Sequence, residues 1–162
     1  MDRTDHARLP KLAETCTDGA EVLALSVTPF IAAGYMTGDV ACWDAGHACA
    51  EEILGPAEGP RFVAAMASIM RALRAEREAP WQFRPATCRC VTRDEVSLIH
   101  ALGLARRGEH DALTMACATL AGRPTAPRLA AALVIAADIL DTLKRLLDCA
   151  DPPRPAEPST LH

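Results

Sequence analysis

Residues 54–73 read LGPAEGPRFVAAMASIMRAL and residues 120–140 read LAGRPTAPRLAAALVIAADIL, so a Pro-Arg-apolar-x-Ala-Ala helix start recurs sixty-seven residues apart, at Pro60 and Pro127. The echo extends backward. Ala48-Cys49-Ala50 before Gly55 is answered by Ala116-Cys117-Ala118 before Gly122, Gly38-Asp39 by Gly108-Glu109, and Glu21-Val22 by Glu95-Val96. Self-similarity on this scale organises a fold before it names a function. It predicts an all-α, single-domain bundle of about six helices, with two pseudo-repeated three-helix units. The offset drifts along the chain, so an accident of alanine-rich composition is the competing explanation of the echo.

The expected organisation follows. Residues 1–18 form a loosely ordered N-terminal segment with one helical turn around residues 9–15. Residues 19–150 form the bundle, as units 19–79 and 92–149 joined by a connector at 80–91. Residues 151–162, DPPRPAEPSTLH, are proline-rich and too poor in apolar surface to fold, so a disordered tail is expected.

Composition agrees with helices. Half of the 162 residues are apolar but only 4% are aromatic, and 32 alanines carry the count. This is a helix-forming alphabet whose small side chains let helices approach closely. A chain of this length buries enough surface to fold without disulfides or metals. Arginine outnumbers lysine 15 to 2, the mark of a GC-rich bacterial coding sequence. A net charge of −4 argues against nucleic acid as partner, because duplex binding rests on neutralising many phosphates. Arg71, Arg74 and Arg77 are interleaved with Glu76 and Glu78, and read as cations at a helix C-terminus, where the macrodipole favours them, before they read as a phosphate strip.

The opening MDRTDHARLPK shows no secretory pattern. The longest apolar stretch, Val22 to Met36, is interrupted by Ser26, Thr28 and Pro29 and falls short of the roughly 20 residues a bilayer span needs. No membrane partner is expected. Seven cysteines without an export signal point to a reducing cytoplasm.

Local signals set the boundaries. Asp18 can cap a helix through Gly34, with Pro29 kinking or splitting it. A second helix runs from Asp39 to Leu54 and closes at Gly55-Pro56. Pro60 opens a third, whose Phe62, Met66, Ile69 and Leu73 share one face down to about Glu78. Thr92-Arg93-Asp94-Glu95 is a capping box, followed by an inward stripe of Val96, Ile99, Leu102 and Leu104. Helices at Glu109–Ala121 and from Pro127 to about Asp148 complete the set, the last with Leu129, Leu133, Ala136, Ala137, Leu140, Leu143 and Leu147 at helical spacing.

Chemistry is sparse. Cys42 and Cys49, seven residues apart on one helix, lie roughly 10.5 Å apart along its axis, too far to share a metal. His47 stands on another face unless Gly46 breaks the helix. Cys49 and Cys117 read as buried structural thiols at matching places in the repeat. His100 reads as a half-buried histidine beside an apolar stripe, and no catalytic residue is nominated.

Cys88-Arg89-Cys90 differs because it lies in the connector beside arginines and just before the Thr92 cap. Both neighbours favour thiolate, which makes Cys90 the candidate reactive thiol. The pair Cys88 and Cys90 could also hold a soft metal such as zinc, with one of Cys42, Cys49, His100 or Cys117 brought near by folding. Trp81 and Phe83 are expected to pin the connector against the bundle. Two functions follow from different classes: a non-catalytic bacterial cytoplasmic interaction or regulatory module docking a protein partner or itself, and a thiol-based redox sensor or metal-binding protein using the Cys88/Cys90 loop.

Overall fold

A computed structural model of the chain describes residues 11–16, 18–84 and 90–150. The elements are α1 (Leu12–Thr15), α2 (Gly19–Thr37), α3 (Val40–Glu76), α4 (Arg93–Arg106), α5 (His110–Ala121) and α6 (Pro127–Ala150). The class is all-α. Among the described residues the sole β-type pairing is an isolated antiparallel bridge between Lys11 and Cys90. The tail at 151–162 and most of the N-terminal segment lie outside the described residues.

Asp18 caps α2 as its side-chain chemistry dictates, accepting the Glu21 N–H at 3.0 Å. The helix then continues through Pro29 and past Gly34, ending at Thr37 with Gly38 in the left-handed conformation. The expected stop at Gly34 is therefore wrong. Gly34 is needed for closeness instead: a Cβ there would sit 2.6 Å from Trp43 Nε1. Trp43 in turn stands edge-on to Tyr35, with ring centroids 5.0 Å apart. By length and composition α2 is the one helix among the described residues that could cross a bilayer, yet 56% of its apolar window is buried. Leu23, Ala24, Leu25, Val27 and Ile31 are all core.

Helix α3 opens after Asp39, which accepts the Ala41 N–H at 2.9 Å, and Gly46 lies within it without breaking it. The break falls at Gly55, with φ 77° and ψ 171°, giving segments 40–54 (α3a) and 56–76 (α3b). Pro56, not Pro60, is the first residue after the break, so the missing N–H of Pro60 falls one turn inside. The chain folds back sharply there. A Cβ on Gly59 would lie 2.9 Å from both Cα and N of Glu51, whereas residues eight apart on a straight helix are separated by about 12 Å.

Phe62, Met66, Ile69 and Leu73 are buried as expected, as are Leu129, Leu133, Ala136, Ala137 and Leu140 of α6, while the side chains of Leu143 and Leu147 lie outside what the structure describes. Helix α6 starts where α3b ends, because Glu76 accepts the backbone N–H groups of Arg128 and Leu129, each at 2.9 Å. Pro127 has no N–H to satisfy, and two of the three remaining orphan donors at the start of α6 are thus met by a residue fifty-two positions earlier, with the two helices running antiparallel. On α4 the capping box forms in full, with Glu95 N–H to Thr92 Oγ1 and Thr92 N–H to Glu95 Oε2. The buried stripe there is Leu98, Ile99, Leu102 and Leu104, while Val96 is only half-buried.

One arginine joins three helices. Arg106, at the end of α4, donates to Asp18 at 2.7 Å and to Asp141 of α6 at 2.9 Å. It ties the start of α2 to the second half of the chain.

Candidate functional site

Of the arginine trio read from sequence, Arg77 behaves differently from the other two. It is the C-cap of α3, and its guanidinium turns away from its own helix. Nη2 donates to both carboxylate oxygens of Asp94, at 2.9 and 3.0 Å, Nη1 to the Leu120 carbonyl at 2.7 Å, and Nε to the Ala79 carbonyl at 3.0 Å. The planar fork of arginine suits this arrangement, since its three nitrogens reach three separate partners at once, which the single nitrogen of a lysine could not. The guanidinium also stacks over Trp81, 5.5 Å from the ring centroid.

These bonds strap the start of the connector to the bundle. Asp94 accepts the Gln82 N–H at 2.8 Å, and Thr92 Oγ1 donates to the Gln82 carbonyl at 2.9 Å. Trp81 and Phe83 are half-buried against the core. The Trp81 indole N–H is buried and meets no acceptor among the described residues, a cost that the ring's packing and its arginine neighbour must offset.

The strap closes one end of a cleft of about 520 Å³. Ala32, Tyr35 and Met36 of α2 form one wall, Met70, Leu73, Arg74 and Arg77 the other, and Glu78 to Trp81 the end. The spacing on each wall is three or four residues, as helices facing a shared groove require. Its volume falls in the range of small-molecule ligand pockets. Met36 is 71% exposed at its mouth. Arg74 and Arg71, one turn apart and both exposed, make no ion pair among the described residues, while Glu78 pairs with Arg123 at 3.4 Å.

Sequence reasoning missed this cleft. Its walls come from residues about forty positions apart, and the strap depends on Arg77 finding partners seventeen and forty-three residues away. The capping box marked Thr92 and Glu95, and no local pattern marked Asp94.

Of the thiol site, Cys88 lies outside the described residues. Cys90 is half-buried, joined by its backbone to Lys11 and followed by the buried Val91 and Thr92. Among the described residues no group of three or more His, Cys, Asp and Glu side chains gathers to hold a metal. The expected addition of one of Cys42, Cys49, His100 or Cys117 to the Cys88/Cys90 pair turns on Cys88 and so lies outside the described residues.

Cys117 is fully buried, but Cys49 is half-buried, so the two do not share one depth. Burial, reinforced by Glu76, pushes the Cys117 thiol up to about 11. Burial, with Glu21 and Asp18 nearby, pushes Cys16 to about 11 as well. Cys49 is raised by burial and by Glu52. All three are thereby held as neutral thiols near pH 7, the form that is not the nucleophile. His100 is exposed, contrary to the half-buried position expected. No family model, curated protein or solved structure matches this chain.

Proposed function

We propose that this chain is a non-catalytic interaction or regulatory module that docks a protein partner, or a second copy of itself, in the cleft between α2, α3b and the connector. The observation that carries this reading is the make-up of the cleft. Its walls hold no histidine, cysteine or serine, and its charged groups are two arginines and one glutamate. Such a surface offers contact area and charge, and its two groups with acid–base chemistry are engaged elsewhere, Tyr35 Oη donating to the Ala67 carbonyl and Glu78 pairing with Arg123. Methionine, tyrosine, tryptophan and arginine are the residue types that anchor protein interfaces. The proposed setting is a bacterial cytoplasm, supported by the arginine-rich composition and the seven cysteines. Neither nucleic acid nor membrane is proposed as partner.

The test is site-specific photo-crosslinking in cells. Met36 and Met115 are exposed to 71% and 73%, and only Met36 lines the cleft. A photo-crosslinker at position 36 should capture a discrete partner or a second copy, and one at position 115 should not. Equal capture at both positions, or none at either, would remove the reading.

A second reading keeps Cys90 as a redox-active thiol with Cys88, with zinc as its metal form. It is favoured by the position of Cys90 beside the Thr92 cap and by the raised pKa of Cys16, Cys49 and Cys117. Zinc content of the protein purified without chelators tests the metal form, and the labelling order of the cysteines tests the thiol.

We further propose that the bundle comprises six principal helices in two three-helix units related by duplication. The four glycines with positive φ fall at matching places, Gly38 with Gly108 and Gly55 with Gly122. Glu21 and Glu95, three residues after the caps Asp18 and Thr92, are both buried. Along the recurring helix Phe62, Ala65, Met66, Ile69, Met70 and Leu73 match Leu129, Ala132, Leu133, Ala136, Ala137 and Leu140, and all are buried. The Ala-Cys-Ala segments do not match, since Ala50 is deepest in one and Cys117 in the other. Superposing 38–78 on 108–147 in a crystal structure tests the duplication, and unrelated crossing angles would refute it.

A further inference from the structure

We infer that the cleft takes an acidic amphipathic helix, whose apolar side chains enter between α2 and α3b and whose carboxylate pairs with Arg74. The inference rests on the docking reading of the cleft and adds the chemistry of the docked segment.

Three observations lead to it. The first is shape. Two helix walls, contributing Ala32, Tyr35 and Met36 on one side and Met70 and Leu73 on the other, form a groove stopped at one end by Pro80 and Trp81. A groove between helices, lined at three- and four-residue spacing, is the receptor geometry for an amphipathic helix. Methionine walls adapt to the side chains they receive.

The second is charge. The chain is net negative, yet the cleft's open arginine, Arg74, forms no ion pair among the described residues. Arg77 is consumed by Asp94 and two carbonyls, and Glu78 pairs with Arg123, which leaves Arg74 as the uncommitted charge of the cleft among the described residues. Arg71, one turn before it, extends the positive strip.

The third is the internal comparison. Counting two residues back from Gly38 and Gly108 pairs Met36 with Arg106, and counting fourteen on from Pro60 and Pro127 pairs Arg74 with Asp141. In the second unit these positions form an ion pair at 2.9 Å that ties α4 to α6. In the first unit the same two places are an exposed methionine and an exposed arginine that makes no ion pair among the described residues. The fold holds a carboxylate–guanidinium pair at this place in one unit. In the other, the two places form no such pair among the described residues, and a carboxylate carried by the docked helix would supply one to Arg74.

The probe is a phage-displayed library of helical peptides, selected on the full chain and read out against three variants. Selected peptides should carry bulky apolar residues on one face flanked by Asp or Glu. Arg74→Glu should weaken them about tenfold and make selection favour Lys and Arg instead. Met36→Gln at the mouth should weaken them as well, and Met115→Gln should leave them unchanged. Peptides that respond to Met36→Gln but show no acidic preference and ignore Arg74→Glu would overturn the inference while sparing the docking reading. Peptides indifferent to Met36→Gln, or a library yielding no binder, would overturn both. Arg74 and Met36 are surface residues, so circular dichroism of each variant should match the parent.

Discussion

Replacing Arg77 by Met removes the fork that holds the connector and the ends of three helices together. Four hydrogen bonds disappear, and Asp94, whose side chain is only 16% exposed, loses its cation. Hydrogen bonds to charged groups contribute about 1.5–3 kcal/mol each, but these four are one network and do not add. Breaking a fully buried ion pair costs about 3–5 kcal/mol. With some water able to reach Asp94, the loss should fall at the low end, about 3 kcal/mol, a large share of a domain's stability of about 5–15 kcal/mol. Lysine at the same place keeps a charge near Asp94 without the fork, and should recover about 1 kcal/mol.

Urea unfolding followed by circular dichroism reads this directly. For an m-value of about 2 kcal/mol/M the midpoint should fall by about 1.5 M in Arg77→Met and by about 1 M in Arg77→Lys, with the slope unchanged. A cycle with Asp94→Asn should show coupling of at least about 1 kcal/mol. If Arg77→Lys unfolds at the parental midpoint, the fork does not hold the strap, and the closed end of the cleft is not fixed as described.

Gly59→Ala gains about 1 kcal/mol of helix propensity but drives its Cβ into the Glu51 backbone, which cannot yield as a side chain would, so a net loss of about 1–2 kcal/mol is expected by the same urea assay. At Asp18 burial raises the carboxyl pKa, yet the Glu21 N–H and the Arg106 guanidinium outweigh it and hold it below the usual range. Its stabilisation is therefore full above the unfolded value near pH ~4 and is lost as pH falls through the lower folded value. Asp18→Asn should flatten that acid limb of stability in pH-dependent unfolding. In native protein at pH 7, iodoacetamide labelling with peptide mapping should find Cys90 fastest and Cys16 and Cys117 slowest, and replacing Thr92 and Glu95 by Ala should slow Cys90.

Local chemistry was readable where the physics is local. Thr92 and Glu95 lie three residues apart and satisfy each other's backbone, so their box could be named from four letters and is present in full. Asp18, Asp39, Gly55 and Gly122 set boundaries for the same reason. Helix α2 outran its expected end because Gly34 is also what a close-packed indole requires, and sequence alone does not separate a glycine that ends a helix from one that lets a neighbour in. Pro56 and Pro60 both suit a first turn, and the choice between them was made by the sharp fold-back of Gly59 on Glu51.

Long-range chemistry stayed hidden. Glu76 looked like one of the acids interleaved with the arginine trio, yet it caps α6. Arg77 looked like a cation on its own helix dipole, yet it serves the Leu120 carbonyl at the end of α5 and Asp94 in the first turn of α4. Neither partner lies within a window that periodicity can search. The cleft inherits this, since its walls and stopper meet only once those contacts form.

The most direct measurement of the central claim uses two methionines as an internal ratio. Met36 and Met115 are 71% and 73% exposed, so hydroxyl-radical footprinting of the purified monomer should oxidise them at similar rates. In cells the docking account predicts that Met36 is protected several-fold while Met115 is not. A ratio equal in cells and in the isolated monomer would contradict the claim that this cleft is where the chain is held.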